Sequence, residues 1–174
     1  AWNTSTAGMI GGTIFVLSAY DSSTVAISGG NIADEGDLAA WNTSTVNISG
    51  SGSALQLFAH DSSTVNITGG RITGGWIIGN SAPSRGGLYA GGSSTVNISG
   101  GRVTSLNAYQ SSTVNVSGGY VDYLYANGSS TTIFDAHNFH LGSGLTLWGQ
   151  RVLGTGMLGG EWMDGTSWSV NIVR

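Results

Sequence analysis

Apolar side chains recur in a fixed frame along most of this chain. In the segment LNAYQSSTVNVSGGYV they fall at Leu106, Ala108, Val114, Val116 and Val121, and Leu124 and Ala126 restart the pattern. The same frame fits Leu17, Ala19, Val25, Ile27 and Ile32, and again Leu88, Ala90, Val96, Ile98 and Val103. Apolar and polar residues alternate within each unit, as in Thr113-Val114-Asn115-Val116-Ser117, and a period of two is the mark of a strand. The units are also rich in Val, Ile, Thr and Gly, which favour strand over helix. Each unit therefore predicts three short strands, L-x-A, T-V-N-I-S and G-x-V. Corners are expected at the polar clusters Asp21-Ser22, Asp61-Ser62 and Gln110-Ser111, and at the paired glycines, which supply the positive φ of a sharp turn.

The threonine that opens each T-V-N-I-S strand marks the period. It stands at Thr6, Thr24, Thr45, Thr64, Thr95, Thr113 and Thr131, with gaps of 18, 21, 19, 31, 18 and 18 residues. A near-constant period with insertions marks a repeat architecture. One unit alone cannot bury its Val/Ile face, but stacked units can. The expected fold is all-β: a single-stranded parallel β-helix, or solenoid, of about seven coils. With coils ~4.8 Å apart the rod would be roughly 30–35 Å long. Two insertions interrupt it, a short one at Ala33–Asp37 and a long one at Thr73–Gly87. The repeat covers residues 1–140. Residues 141–174 change texture, and Asp164-Gly165 between two alternating runs reads as a hairpin turn. An open solenoid end exposes unpaired backbone groups, so this segment is expected to cap the end or dock another subunit.

Composition narrows the function classes. The chain holds 30 glycines but one proline and no triplet period, which excludes collagen. Charged residues make up 8% of it and the net charge is −4, so a phosphate-binding surface and a nucleic-acid partner are not expected. No apolar run approaches the length of a membrane-spanning helix. There is no cysteine, which removes disulfides, zinc–thiolate sites and thiol nucleophiles. The Gly/Ser/Thr/Asn bias suits a secreted or cell-surface protein, and the start at Ala1-Trp2 would fit a processed chain.

Three sets of outward residues are candidates for function. The first is a polar lattice of Thr45, Asn47, Thr64, Asn66, Thr95, Asn97, Thr113 and Asn115, in which stacked amides can bond along the axis. It is similar to the T-x-T faces of ice-binding solenoids, with Asn in place of the central Thr. The second is aromatic: Phe58, Tyr89 and Tyr125 in one column, and Tyr20, Trp41 and Tyr109 with His60 in another. Such columns suit stacking against sugar rings or a neighbouring rod. The third is a set of large apolar residues outside the frame: Trp2, Trp76, Ile77, Ile78, Trp148, Met157, Leu158, Trp162, Met163 and Trp168. These are candidates for a self-assembly interface.

Candidate chemistry is sparse. Asp34, Glu35 and Asp37 lie close enough to suggest calcium, yet a solvated acidic turn explains them better. His137 and His140 form a two-ligand pattern too small for a metal site. Asp21 and Asp61 share a repeat corner, but Gly92 and Gln110 replace them in later coils, so no acid–base groove assembles. No nucleophile elbow, phosphate loop or metalloprotease helix is present. Neither an enzymatic activity nor a cofactor is expected.

The pattern L-x-A-x-(D/Q)-S-S-T-V-N-I-S-G-G-x-(I/V) resembles the β-solenoid repeats of bacterial secreted and surface proteins, adhesin-like and autotransporter-passenger-like chains among them. The ending LGGEWMDGTSWSVNIVR resembles the strand–turn–strand segment that closes many exported repeat proteins, including those with a Pro-Glu-Pro sorting tail, which is missing here. This resemblance implies an extracellular structural or adhesive role. The expected function is a non-enzymatic structural protein that joins copies of itself into a filament, sheath or matrix. A carbohydrate-binding adhesin and an ice-binding protein are the alternatives.

Overall fold

The computed structural model describes residues 1–73, 87–148 and 151–173. It is an all-β parallel solenoid of about six turns, with 66% of residues in strands and no helix. The first coil is built from β1 (Thr6–Met9), β2 (Thr13–Ile14) and β3 (Leu17–Ala19). The second holds β4 (Thr24–Ile27) and β5 (Asn31–Ala40), and the third β6 (Thr45–Ile48) and β7 (Ser53–Ala59). Next come β8 (Thr64–Ile72) and β9 (Gly87–Ala90), then β10 (Thr95–Ala108) and β11 (Thr113–Ala126), each of the last two running through a whole coil. The seventh rung, β12 (Thr131–Phe134), closes the series, so seven rungs on this face bound about six turns.

The register on each face follows the threonine anchor, and its shifts are confined to the corners, at the glycine turns and at the short insertion. Thr6, Thr24, Thr45, Thr64, Thr95, Thr113 and Thr131 stand one above another. Leu17, Leu38, Leu57, Leu88, Leu106 and Leu124 form a second column. Ile14, Ile32, Ala54, Ile72, Val103 and Val121 form a third. The sequence thus yields a rod with three faces and an interior of like-on-like ladders. Val25, Val46, Val65, Val96 and Val114 are fully buried, as are the Leu column from Leu38 to Leu106 and its companion alanines. Each such Val or Leu contributes about 1.5–3 kcal/mol by leaving water.

The two insertions enter at one corner, between the face of Ile32 and Ile72 and the face of Leu38 and Leu88. Three residues separate Ile14 from Leu17, Ala54 from Leu57 and Val103 from Leu106, but six separate Ile32 from Leu38 and sixteen separate Ile72 from Leu88. The opposite corner, from the alanine column to the valine column, always spans six residues. It turns on one position: Asn3, Asp21, Asn42, Asp61, Gly92, Gln110 and Gly128 all have φ between 56° and 69°. Left-handed backbone favours Gly, Asn and Asp. That explains residues that otherwise look unrelated. The Asp21 and Asp61 carboxylates serve the turn: Asp21 Oδ2 accepts from the Asn3 amide at 3.1 Å and Asp61 Oδ2 from the Asn42 amide at 3.1 Å. Asn42 Oδ1 likewise accepts from the Asp21 amide at 3.2 Å, and Gln110 Oε1 from the Gly92 amide.

Gln110 is the poorest residue for this conformation. Gln110→Asn should raise stability by about 0.5–1 kcal/mol, since Asn tolerates positive φ and still reaches the preceding coil. A thermal melt checks this, and a lower midpoint than wild type would contradict it.

Beyond β12 the chain reverses. The strands β13 (Ala136–Leu141), β16 (Gly156–Trp162) and β17 (Ser167–Val173) form an antiparallel sheet. β17 also pairs in parallel with β11, placing Ile172 on Leu124 as one more rung of the leucine column. Between β13 and β16, β14 (Leu145–Trp148) and β15 (Arg151–Gly154) make a separate hairpin. The turn at Asp164-Gly165 forms the β16–β17 hairpin expected from the sequence, with Gly165 at φ 84°. Thr166 donates to Asp164 Oδ1 through its side chain at 2.5 Å and its amide at 2.9 Å, and these bonds hold the carboxyl below the usual aspartate range.

Candidate functional sites on the rod surface

The face of the T-V-N-I-S strands presents the polar lattice. Asn66 Nδ2 donates to Asn47 Oδ1, Asn97 to Asn66 and Asn115 to Asn97, each at 2.8 Å. The bonds run unbroken across the long insertion, because register places Asn66 and Asn97 on neighbouring rungs although 31 residues separate them. Thr45, Thr64, Thr95 and Thr113 flank the amides, half-buried. Each amide is therefore committed to its neighbour along the axis. The column ends at Ala26 on one side and Ile133 on the other.

The two aromatic columns assemble in part, without Tyr109 and Tyr125. Trp2 stacks on Tyr20 at 4.2 Å, Tyr20 faces Trp41 at 6.3 Å and Trp41 stacks on His60 at 4.1 Å. Phe58 stacks on Tyr89 at 5.0 Å. Gly91 breaks the first column below Tyr109, and the buried Asn107 breaks the second below Tyr125. Stacking against a sugar uses the face of a ring. Here the faces of Tyr20, Trp41 and Phe58 lie against other rings, so these three turn their edges outward.

The apolar candidates separate into two groups. Trp162 and Trp168 are each only 6% exposed, and Leu158 is buried with them. Phe134 stacks on Trp168 at 4.7 Å and Trp168 on Trp162 at 4.9 Å, so these rings seal the last coil from within the cap. Gly160 makes room for them, since a Cβ there would stand 3.0 Å from the Trp168 indole. Trp2, Met157 and Met163 are exposed. Trp76, Ile77 and Ile78 lie outside the described residues, as do the side chains of Trp148, Asp34 and Glu35.

Sequence reading missed Ile10, Phe15 and Val16, all exposed on the first coil and Ile10 by 90%. Their signal is visible in the repeat: Ile10 takes the slot that holds Ser28, Ser49 and Ser99 in later coils. It also missed a groove on the second face. Arg71, Thr73, Arg102, Thr104, Asp122 and Tyr123 line a cavity of about 620 Å³ whose far wall is Ser169 and Asn171 of β17.

Among the described residues no three His, Asp or Glu side chains come together as metal ligands. His137 lies 3.4 Å from Glu161. Among the described residues no helix is long and apolar enough to cross a membrane. The chain matches no protein-family model, no curated protein and no solved structure.

Proposed function

We propose that this chain is a secreted structural rod that joins copies of itself end to end. One observation carries the reading: the distribution of exposed large apolar residues. Trp2, Ile10, Phe15 and Val16 mark the first coil, and Ile133, Phe139, Leu141, Met157 and Met163 mark the other end. Between them, among the described residues, only Tyr120 is comparably exposed. Large apolar patches on a surface mark interaction sites, and a rod that joins through both marked regions accounts for this distribution. The two ends differ in shape, so their contact is heterologous and does not close, which gives a filament. The low-charge surface supports secretion and close packing between copies.

End-directed variants test this. Ile10→Lys with Phe15→Lys should stop growth at one end, and Met157→Lys with Met163→Lys at the other. Each double variant alone should be monomeric by light scattering, and an equimolar mixture should form pairs and nothing longer. A monodisperse wild-type monomer at high concentration would overturn the proposal.

A further inference from the structure

We infer that the groove on the second face is a binding site for an acidic saccharide, a chain of hydroxyl-rich rings bearing carboxylates. The outward column of that face reads Thr13, Asn31, Ser53, Arg71, Arg102 and Tyr120, in unbroken register. Two guanidiniums therefore stand on neighbouring rungs, ~4.8 Å apart at their backbones. Like charges at that spacing repel, which is a poor choice for stability alone.

Their neutralisation is incomplete. Arg102 directs Nε and Nη2 to a single oxygen, Asp122 Oδ2, at 3.1 and 2.8 Å. Arg71 has no carboxylate partner among the described residues, and the insertion that follows it, residues 74–86, contains no Asp or Glu to supply one. The groove holds two cations and one anion within a chain whose net charge is −4.

Its remaining lining identifies the ligand class. A guanidinium fork is shaped for a carboxylate. Thr73, Thr104 and Ser169 offer hydroxyls, the partners of sugar hydroxyl groups, while Asn171 Nδ2 donates to the Asp122 carbonyl at 3.1 Å and leaves its Oδ1 as acceptor. Tyr123 lines the groove, and Tyr120, outside the lining but on the rung beside Arg102, is 60% exposed. No other described ring stacks on it, so unlike Trp41 or Phe58 it can offer a face to a sugar. Asn171 pairs with Met157 of the apolar end, but the residues changed to test this site, Arg71, Tyr120 and Asp122, are none of those changed in the end-directed variants, so the two readings can fail separately.

Titration calorimetry on the full chain tests the assignment, with a uronic-acid trisaccharide as probe. A neutral trisaccharide of the same linkage and a sulfated one serve as comparisons. The uronate should bind, with the neutral sugar at least about tenfold weaker, since a charge-assisted contact is lost. Arg71→Gln and Tyr120→Ala should each weaken binding by roughly tenfold. Asp122→Asn should tighten it severalfold, because it frees Arg102 from an internal competitor. That gain separates a binding role from a structural one, which the same change would only harm. Circular dichroism confirms that each variant keeps its sheet. Absence of uronate binding, equal binding of the neutral or the sulfated sugar, or unchanged affinity in folded Arg71→Gln would overturn the inference.

Discussion

Gly101→Val should prevent the fifth coil from closing. Gly101 has φ 76°, and a Cβ there would stand 2.7 Å from the carbonyl oxygens of both Gly69 and Gly70 on the coil before. The obstacle is backbone on both sides, so nothing can swing aside. A β-branched residue in left-handed backbone costs about 1–2 kcal/mol before any clash is counted. Together the expected loss is on the order of 3–5 kcal/mol, among the largest for a single change. Gly30, Gly70 and Gly119 occupy the same corner with φ between 76° and 85°, so a glycine there is a packing requirement of these four coils. Gly8 is the control: a methyl group there would meet nothing within 4 Å, and Gly8→Ala should stay within about 0.5 kcal/mol of wild type. Urea unfolding followed by circular dichroism measures both, and equal stability of the two variants would refute this account of the corner.

The second large effect is expected at the cap. Trp168→Ala removes a buried indole that stacks on Phe134 and Trp162 and meets Phe139 edge-on at 5.8 Å. Emptying such a site costs about 3–5 kcal/mol. The loss is local to the last coil, because repeat stability sums over neighbouring units. Melting should therefore begin at the C-terminal end, and the uncovered terminal rung should bind a hydrophobic dye. Trp168→Phe keeps an aromatic against Phe134 and should lose about half as much. Unaltered stability of the alanine variant, with no new dye binding, would mean that these rings do not seal the rod.

Much of the architecture could be read from the chain because one side chain recurs at each place. The threonine anchor alone gave the register of the valine, isoleucine and leucine columns. What escaped was whatever depends on backbone conformation or on sequence outside the frame. Asp21, Asp61, Gly92 and Gln110 were legible as one repeat corner, but the reason such different groups can share it, a common positive φ, is visible only in the backbone. Trp162 and Trp168 were legible as atypical but not as buried, since antiparallel pairing of β13, β16 and β17 is tertiary and has no period to announce it. The last rung also inverts the rule: Thr132 takes the valine place and Ile133 the asparagine place, at half exposure. The groove was hidden by distance along the chain, since Arg71 and Arg102 lie 31 positions apart and become neighbours only through the pairing of β8 with β10.

The asparagine ladder carries one more consequence. Every amide in it points the same way, the later coil donating and the earlier accepting. Four aligned dipoles polarise one another, as hydrogen-bonded chains do. The column thus has a donor pole at Asn47, toward the first coil, and an acceptor pole at Asn115, toward the cap. The rod is therefore an electrical arrow as well as a geometric one. Rods laid head to tail would add their fields, and rods packed side by side would favour opposite directions.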